Sequence, residues 1–123
     1  MKSHTDIEQS KRLSEILPVE SADFHFSANQ SPKGYLEKPI WGNPEYADYN
    51  ALPCWSLGEL IEALPLEVET HKQTNGHKIY YYVESYMKRM KKEIYLSTEL
   101  YENLVDACVE MIYQLKQRNL LQC

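Results

Sequence analysis

The chain has 123 residues, with 13 Lys and Arg against 18 Asp and Glu and a net charge of -5, the length of one domain with room for a core that needs neither metal nor disulfide staples. Apolar residues make up 43%, too many for a disordered chain, and their runs are too short for a membrane-spanning helix. The acidic balance weighs against duplex DNA as the main partner, because that affinity comes from lysine and arginine displacing counterions.

The first dozen residues hold no apolar stretch and no small-residue cleavage site, so no secretory signal is read and the cytoplasm is the expected location. Thr5-Asp6-Ile7-Glu8 fits a capping box, which predicts a helix from Thr5 to about Leu17, where Pro18 stops it. Ile7, Leu13, Ile16 and Leu17 give that helix a narrow apolar stripe. Asp23 to Ser27 alternates as a short strand, Asn29 to Gly34 is turn-rich, and Tyr35 to Trp41 is a return strand interrupted by Pro39. From Gly42 to Pro53 the composition predicts an irregular loop.

Ser56-Leu57-Gly58-Glu59 opens a second helix, with Leu57, Leu60, Ile61 and Leu64 at helical spacing before Pro65. Its end, LIEALPLEV, aligns with LSEILPVES from Leu13 in the first helix. Two readings of that alignment stand: an internal repeat of helix, proline stop and strand, or two amphipathic helices that each end at a proline.

Asn75-Gly76 is a preferred pair for a type I′ hairpin turn. Placed as the two-residue loop, it pairs Thr74 with His77, Val68 with Val83 and Thr70 with Tyr81. Leu66, Val68, Ile79, Tyr81 and Val83 then share the core face, and His71, Tyr80, Tyr82 and Glu84 the other. A turn near Lys88 to Lys91 leads to a third strand, Glu93 to Leu96. Ser97 or Thr98 is the expected cap of a final helix with Glu99 and Glu102 in its first turn and Lys116 and Arg118 near its end. Leu100, Leu104, Ala107, Cys108, Met111 and Leu115, widened by Val105 and Ile112, form the stripe that should pack on the sheet.

Nothing in the chain reads as a catalytic motif: there is no GxSxG, HExxH or Walker loop, and only four glycines. No enzyme activity and no cofactor are therefore expected. Three cysteines without CxxC spacing read as free thiols, and Cys54, before the second helix and beside Trp55, is read as a small packed residue rather than a nucleophile. In the register above, His71 and His77 point to opposite faces of the hairpin, so no metal site is expected from them.

Ten of the residues are tyrosine, against two Phe and two Trp. Tyr80, Tyr81 and Tyr82 are consecutive in one strand, so Tyr80 and Tyr82, with Tyr86, face away from the core, next to the basic run Lys88, Arg89, Lys91 and Lys92. Such a surface suits a protein partner or self-association, since tyrosine is favoured at interface centres. The alternative is a single-stranded nucleic acid, with bases stacked on rings and phosphates tracked by lysine. The binding residues are thus expected to be Tyr80, Tyr82, Tyr86, Lys88 and Arg89, provided no helix covers them.

Three blocks, DIEQSKRLSEILPVESAD, LPCWSLGELIEALPLEV and ENLVDACVEMIYQL, resemble in content and order a group of short uncharacterised proteins of bacteriophages, prophages and mobile elements of gut bacteria. The blocks cover about half the chain and are structural in kind, so the resemblance carries over no catalytic or binding residue. It implies a phage-type accessory protein acting inside a bacterial cell and gives no reaction; with apolar runs this short, no membrane partner is expected. The expectation is one α+β domain spanning residues 1–123, in which a small antiparallel sheet carries two short proline-terminated helices and a long C-terminal helix, working as an interaction module.

Overall fold

The computed structural model describes residues 2–26, 36–37 and 52–121. The fold is α+β, with a three-stranded antiparallel sheet, flanking helices and a long C-terminal helix on the sheet.

Helix α1, Ile7–Leu13, starts one residue later than its sequence signature. Asp6 is the cap: its Oδ1 accepts the Gln9 N–H at 2.8 Å, and Gln9 Oε1 accepts the Asp6 N–H at 3.1 Å. Thr5 is withdrawn from capping because the chain before α1 pairs with the chain before the next helix. The Thr5 N–H donates to the Trp55 carbonyl at 2.9 Å, the Leu57 N–H donates to the Ser3 carbonyl at 3.0 Å, and the buried Thr5 hydroxyl accepts the Trp55 N–H at 3.1 Å. After α1 the chain turns through Leu17, whose N–H reaches the Leu13 carbonyl at 2.8 Å, and Pro18 leads into a 3-10 turn over Val19–Ser21.

Strands β1 (Phe24–Phe26), β2 (Leu36–Glu37) and β3 (Leu52–Cys54) form a small antiparallel sheet in the order β2-β1-β3. The return strand expected over Tyr35 to Trp41 is thus found at Leu36–Glu37. The turn expected over 29–34 lies outside the described residues, as do 42–51 of the expected loop. That loop is corrected at its end, since Leu52 and Pro53 belong to β3. Pro53 fits there because β3 is at the sheet edge, where a missing N–H breaks no ladder. Helix α2, Leu57–Ala63, follows directly, with Ser56 Oγ accepting the Glu59 N–H at 3.4 Å. The caps of α1 and α2 do not coincide in the LSEILPVES/LIEALPLEV alignment, which sets Asp6 against Pro53 and Ser56 against Gln9.

The main sheet is the expected meander, β4 (Val68–Asn75), β5 (Lys78–Arg89) and β6 (Lys92–Ser97), in the order β4-β5-β6. Its first hairpin has another register than the Asn-Gly pair suggested. Asn75 pairs with Lys78, so the loop residues are Gly76 and His77; Val68 pairs with Ser85 and Thr70 with Val83. Gly76 has φ +66° and His77 a negative φ, as in a II′ turn with glycine first. The slip is two positions along one strand, so each side chain keeps its face. The second hairpin turns on Met90 and Lys91, with φ 50° and 67°.

The chain after β6 does not enter the helix at once. Thr98 donates its N–H to the Val83 carbonyl at 2.9 Å and accepts the Val83 N–H on its hydroxyl at 3.0 Å, and Tyr101 exchanges two backbone hydrogen bonds with Tyr81. Glu84 pairs with Ser97 and Tyr81 with Tyr101, so this side carries one extra residue, a bulge. Ser97 and Thr98 are therefore not caps, and Glu99 and Glu102 precede the helix. Helix α3, Leu104–Gln117, is capped by Asn103, whose Oδ1 accepts the Asp106 N–H at 2.8 Å. Val105, Ala107, Cys108, Val109, Met111, Ile112 and Leu115 are buried on α3; Leu100, outside the helix, is exposed. This stripe packs with Val83, Met87 and Leu96 of the sheet and with Leu13, Trp55 and Leu60.

Candidate functional site: the tyrosine face of the main sheet

Strand alternation divides β5 between two environments. Val83, Ser85 and Met87 are buried on the α3 side. Tyr80, Tyr82, Glu84, Tyr86 and Lys88 take the other face, which α3 leaves open. Tyr80 and Tyr82 are half-buried by their strand neighbours, and Tyr82 stacks on His71, directly opposite on β4, with ring centroids 4.8 Å apart and planes at 17°. Tyr86 is 56% exposed, and Tyr95, its partner across β6, 61% exposed. Leu66, expected on the core face, precedes β4 and is fully exposed. Ile79 is also exposed.

The basic residues are divided by the strand alternation. Lys88 shares their face, opposite Glu93 of β6. Arg89 alternates to the other side at the end of β5, and its Nη2 lies 3.0 Å from Glu67 Oε1. A backbone N–H and the Arg89 guanidinium hold the Glu67 carboxyl below the ordinary range.

Carboxylates surround the rings. Tyr95 donates its hydroxyl to Glu84 Oε2 at 2.7 Å, and the nearby Glu93 and Glu84 carboxylates push the Tyr86 and Tyr95 phenols, respectively, above their ordinary pKa. Glu84 stands directly opposite Glu69 of β4. Between them His71 Nε2 lies 2.7 Å from Glu84 Oε1 and 3.3 Å from Glu69 Oε2. Leu66, Glu67, Glu69, Glu84, Tyr86 and Tyr95 line an open depression of about 310 Å³.

Of the residues expected to bind, Tyr80, Tyr82, Tyr86 and Lys88 thus share a face and Arg89 does not. The sequence reading put His71 on this face with Tyr80, Tyr82 and Glu84, but it missed Tyr95 and Glu69 as members of the surface. Tyr95 had a signal, because a third strand paired through a turn before it puts it beside Tyr86. What Glu69 and His71 stand opposite, though not the face they take, depended on the hairpin register.

Among the described residues the cysteines offer no second site. Cys54 is fully buried, its thiol donating to the Thr5 carbonyl at 3.4 Å, and burial pushes its pKa up. Burial pushes Cys108 to about 12. Among the described residues no helix is long and apolar enough to cross a membrane. Comparison with protein-family models, with curated proteins and with solved structures finds no match to this chain.

Proposed function

We propose that the protein is a small interaction module, an accessory protein of the phage or mobile-element kind, that binds a protein partner through the tyrosine face of its main sheet. The observation that supports this is the exposure of Tyr86 and Tyr95 side by side, next to Leu66, on the face opposite α3. Rigid, amphipathic rings of this kind bury large areas at little entropic cost, and they are enriched at interface centres.

The charges around the rings indicate the partner's chemistry. Glu69 and Glu84 stand beside Tyr86 and Tyr95 with no Lys or Arg among the described residues ion-paired to them, whereas Glu67 is already paired with Arg89, so the complementary surface carries arginine or lysine beside apolar groups. A second copy of the same face would bring carboxylates against carboxylates in a twofold contact. The same carboxylates repel a phosphate backbone, which weighs against single-stranded nucleic acid.

Size-exclusion chromatography with light scattering, a titration of labelled single-stranded DNA and RNA, and affinity capture from bacterial lysate separate these readings. The expected result is a monomer, no nucleic-acid binding at moderate salt, and a captured protein lost with Tyr86→Ala and Tyr95→Ala. Nucleic-acid binding abolished by those same substitutions would replace the reading with the nucleic-acid one.

A further inference from the structure

Glu69, His71 and Glu84 bring three ligand atoms together on the tyrosine face, all within 4.8 Å of one another. We propose that these three side chains form a binding site for a divalent transition-metal ion of the zinc class, linking β4 to β5. The proposal does not depend on the partner assigned to the surrounding surface.

Backbone geometry makes the cluster. Glu69 and His71 are two apart on β4, so they share a face, and Glu84 is directly opposite Glu69 on β5. Like charges opposite each other on neighbouring strands destabilise a sheet. The two positive charges of a divalent ion placed among them neutralise both carboxylates.

The distances suit a small ion. Zinc sits about 2.0–2.2 Å from nitrogen and carboxylate oxygen, so tetrahedral ligand atoms stand about 3.4 Å apart. His71 Nε2 to Glu69 Oε2 is 3.3 Å, while His71 Nε2 to Glu84 Oε1, at 2.7 Å, must open by a fraction of an ångström. Neither oxygen is aligned for a hydrogen bond with Nε2, although that atom is buried. A metal at Nε2 therefore has no existing hydrogen bond to displace.

The outer groups fit as well. Tyr95 donates to Glu84 Oε2 at 2.7 Å, which leaves Oε1 for the ion, and Tyr82 stacks on the imidazole and fixes its plane. Such outer hydrogen bonds orient ligands and contribute to affinity. Imidazole selects zinc, copper, nickel or iron over magnesium and calcium. Three protein ligands leave a fourth position, next to the depression lined by Tyr86 and Tyr95, which water or a partner's side chain completes.

The test is a calorimetric titration of the chelator-stripped full chain with zinc chloride, repeated with cobalt(II) to read ligand-field absorption, and with magnesium and calcium. One zinc per chain is expected, with a higher melting temperature in its presence. His71→Ala and Glu84→Gln each weaken binding at least tenfold, and Tyr95→Phe weakens it about tenfold. His77→Ala, at the hairpin turn, changes it less than twofold. Circular dichroism of the metal-free variants checks that they are folded. No binding at 100 μM zinc, or binding unchanged by His71→Ala and Glu84→Gln, overturns the site; so does binding lost only with His77→Ala.

Discussion

Replacing Asp106 by asparagine tests how the N-terminal segment is held to α3. Asp106 Oδ1 accepts Lys2 Nζ at 2.8 Å and Gln9 Nε2 at 2.7 Å, and Oδ2 accepts Asn103 Nδ2 at 2.7 Å. Burial alone would raise the carboxyl's pKa, but the hydrogen bonds from Lys2, Asn103 and Gln9, with the Lys2 charge, hold it below the ordinary range. A hydrogen bond to a charged group contributes about 1.5–3 kcal/mol. Here the side chain is 27% exposed and Lys2 keeps Asp6 at 3.0 Å. Discounted for solvent screening, the loss at neutral pH comes to about 2 kcal/mol, or about 6–10 °C in melting temperature for a chain of this size. The lowered pKa fixes the pH dependence. The stabilisation is fully present above the unfolded carboxylate's value, near 4, and is lost as pH falls through the folded one. Urea unfolding of both proteins from pH 7 to pH 2.5 should therefore show a gap that closes on the acid side. A gap below about 0.5 kcal/mol at pH 7, within the usual range for an inert surface change, or one constant across the range, would refute the role given to Asp106.

The second hairpin holds Met90 and Lys91 at positive φ, and Met90 is exposed, so it packs on little. Met90→Asn with Lys91→Gly, the preferred I′ pair, should stabilise the fold by about 1 kcal/mol, because each non-glycine residue in the left-handed region costs about 1–2 kcal/mol and glycine returns part of the gain as entropy; a lower melting temperature would contradict the turn assignment. Cys54 and Cys108 should react with a thiol reagent at pH 7.5 only at the rate of unfolding, since both are buried with raised pKa values. Fast labelling of either under native conditions would show that the segment covering it opens.

Much of the fold was readable from periodicity. The meander, the two short helices and the buried α3 stripe all follow from apolar spacing, which a twofold or 3.6-fold pattern reports directly. The hairpin register was not, because slips of two positions leave every side chain on its face. Only turn chemistry then distinguishes them, and Asn75-Gly76-His77 admits both an Asn-Gly I′ loop and a Gly-His loop with glycine first. The binding surface depended on that choice. In the Asn-Gly register Glu69 opposes Tyr82; in the observed one it opposes Glu84 and His71 opposes Tyr82. Thr98 misled for a related reason. A threonine followed by Glu99 looks like a helix start, but its hydroxyl serves the Val83 N–H in a bulge, and only the long-range pairing of Tyr101 with Tyr81 reveals that.

The most direct measurement is quantitative affinity capture from bacterial lysate with wild type and the Tyr86→Ala/Tyr95→Ala double variant in parallel, at low and moderate salt. Both rings are exposed, so the variant should stay folded, and loss of the cross-strand aromatic pair costs at most about 1 kcal/mol, or about 3–5 °C in melting temperature. The tyrosine-face reading predicts a captured protein with a basic contact surface, retained by wild type, weakened by salt and lost with the double variant. Capture of the same protein to the same extent by both would contradict it.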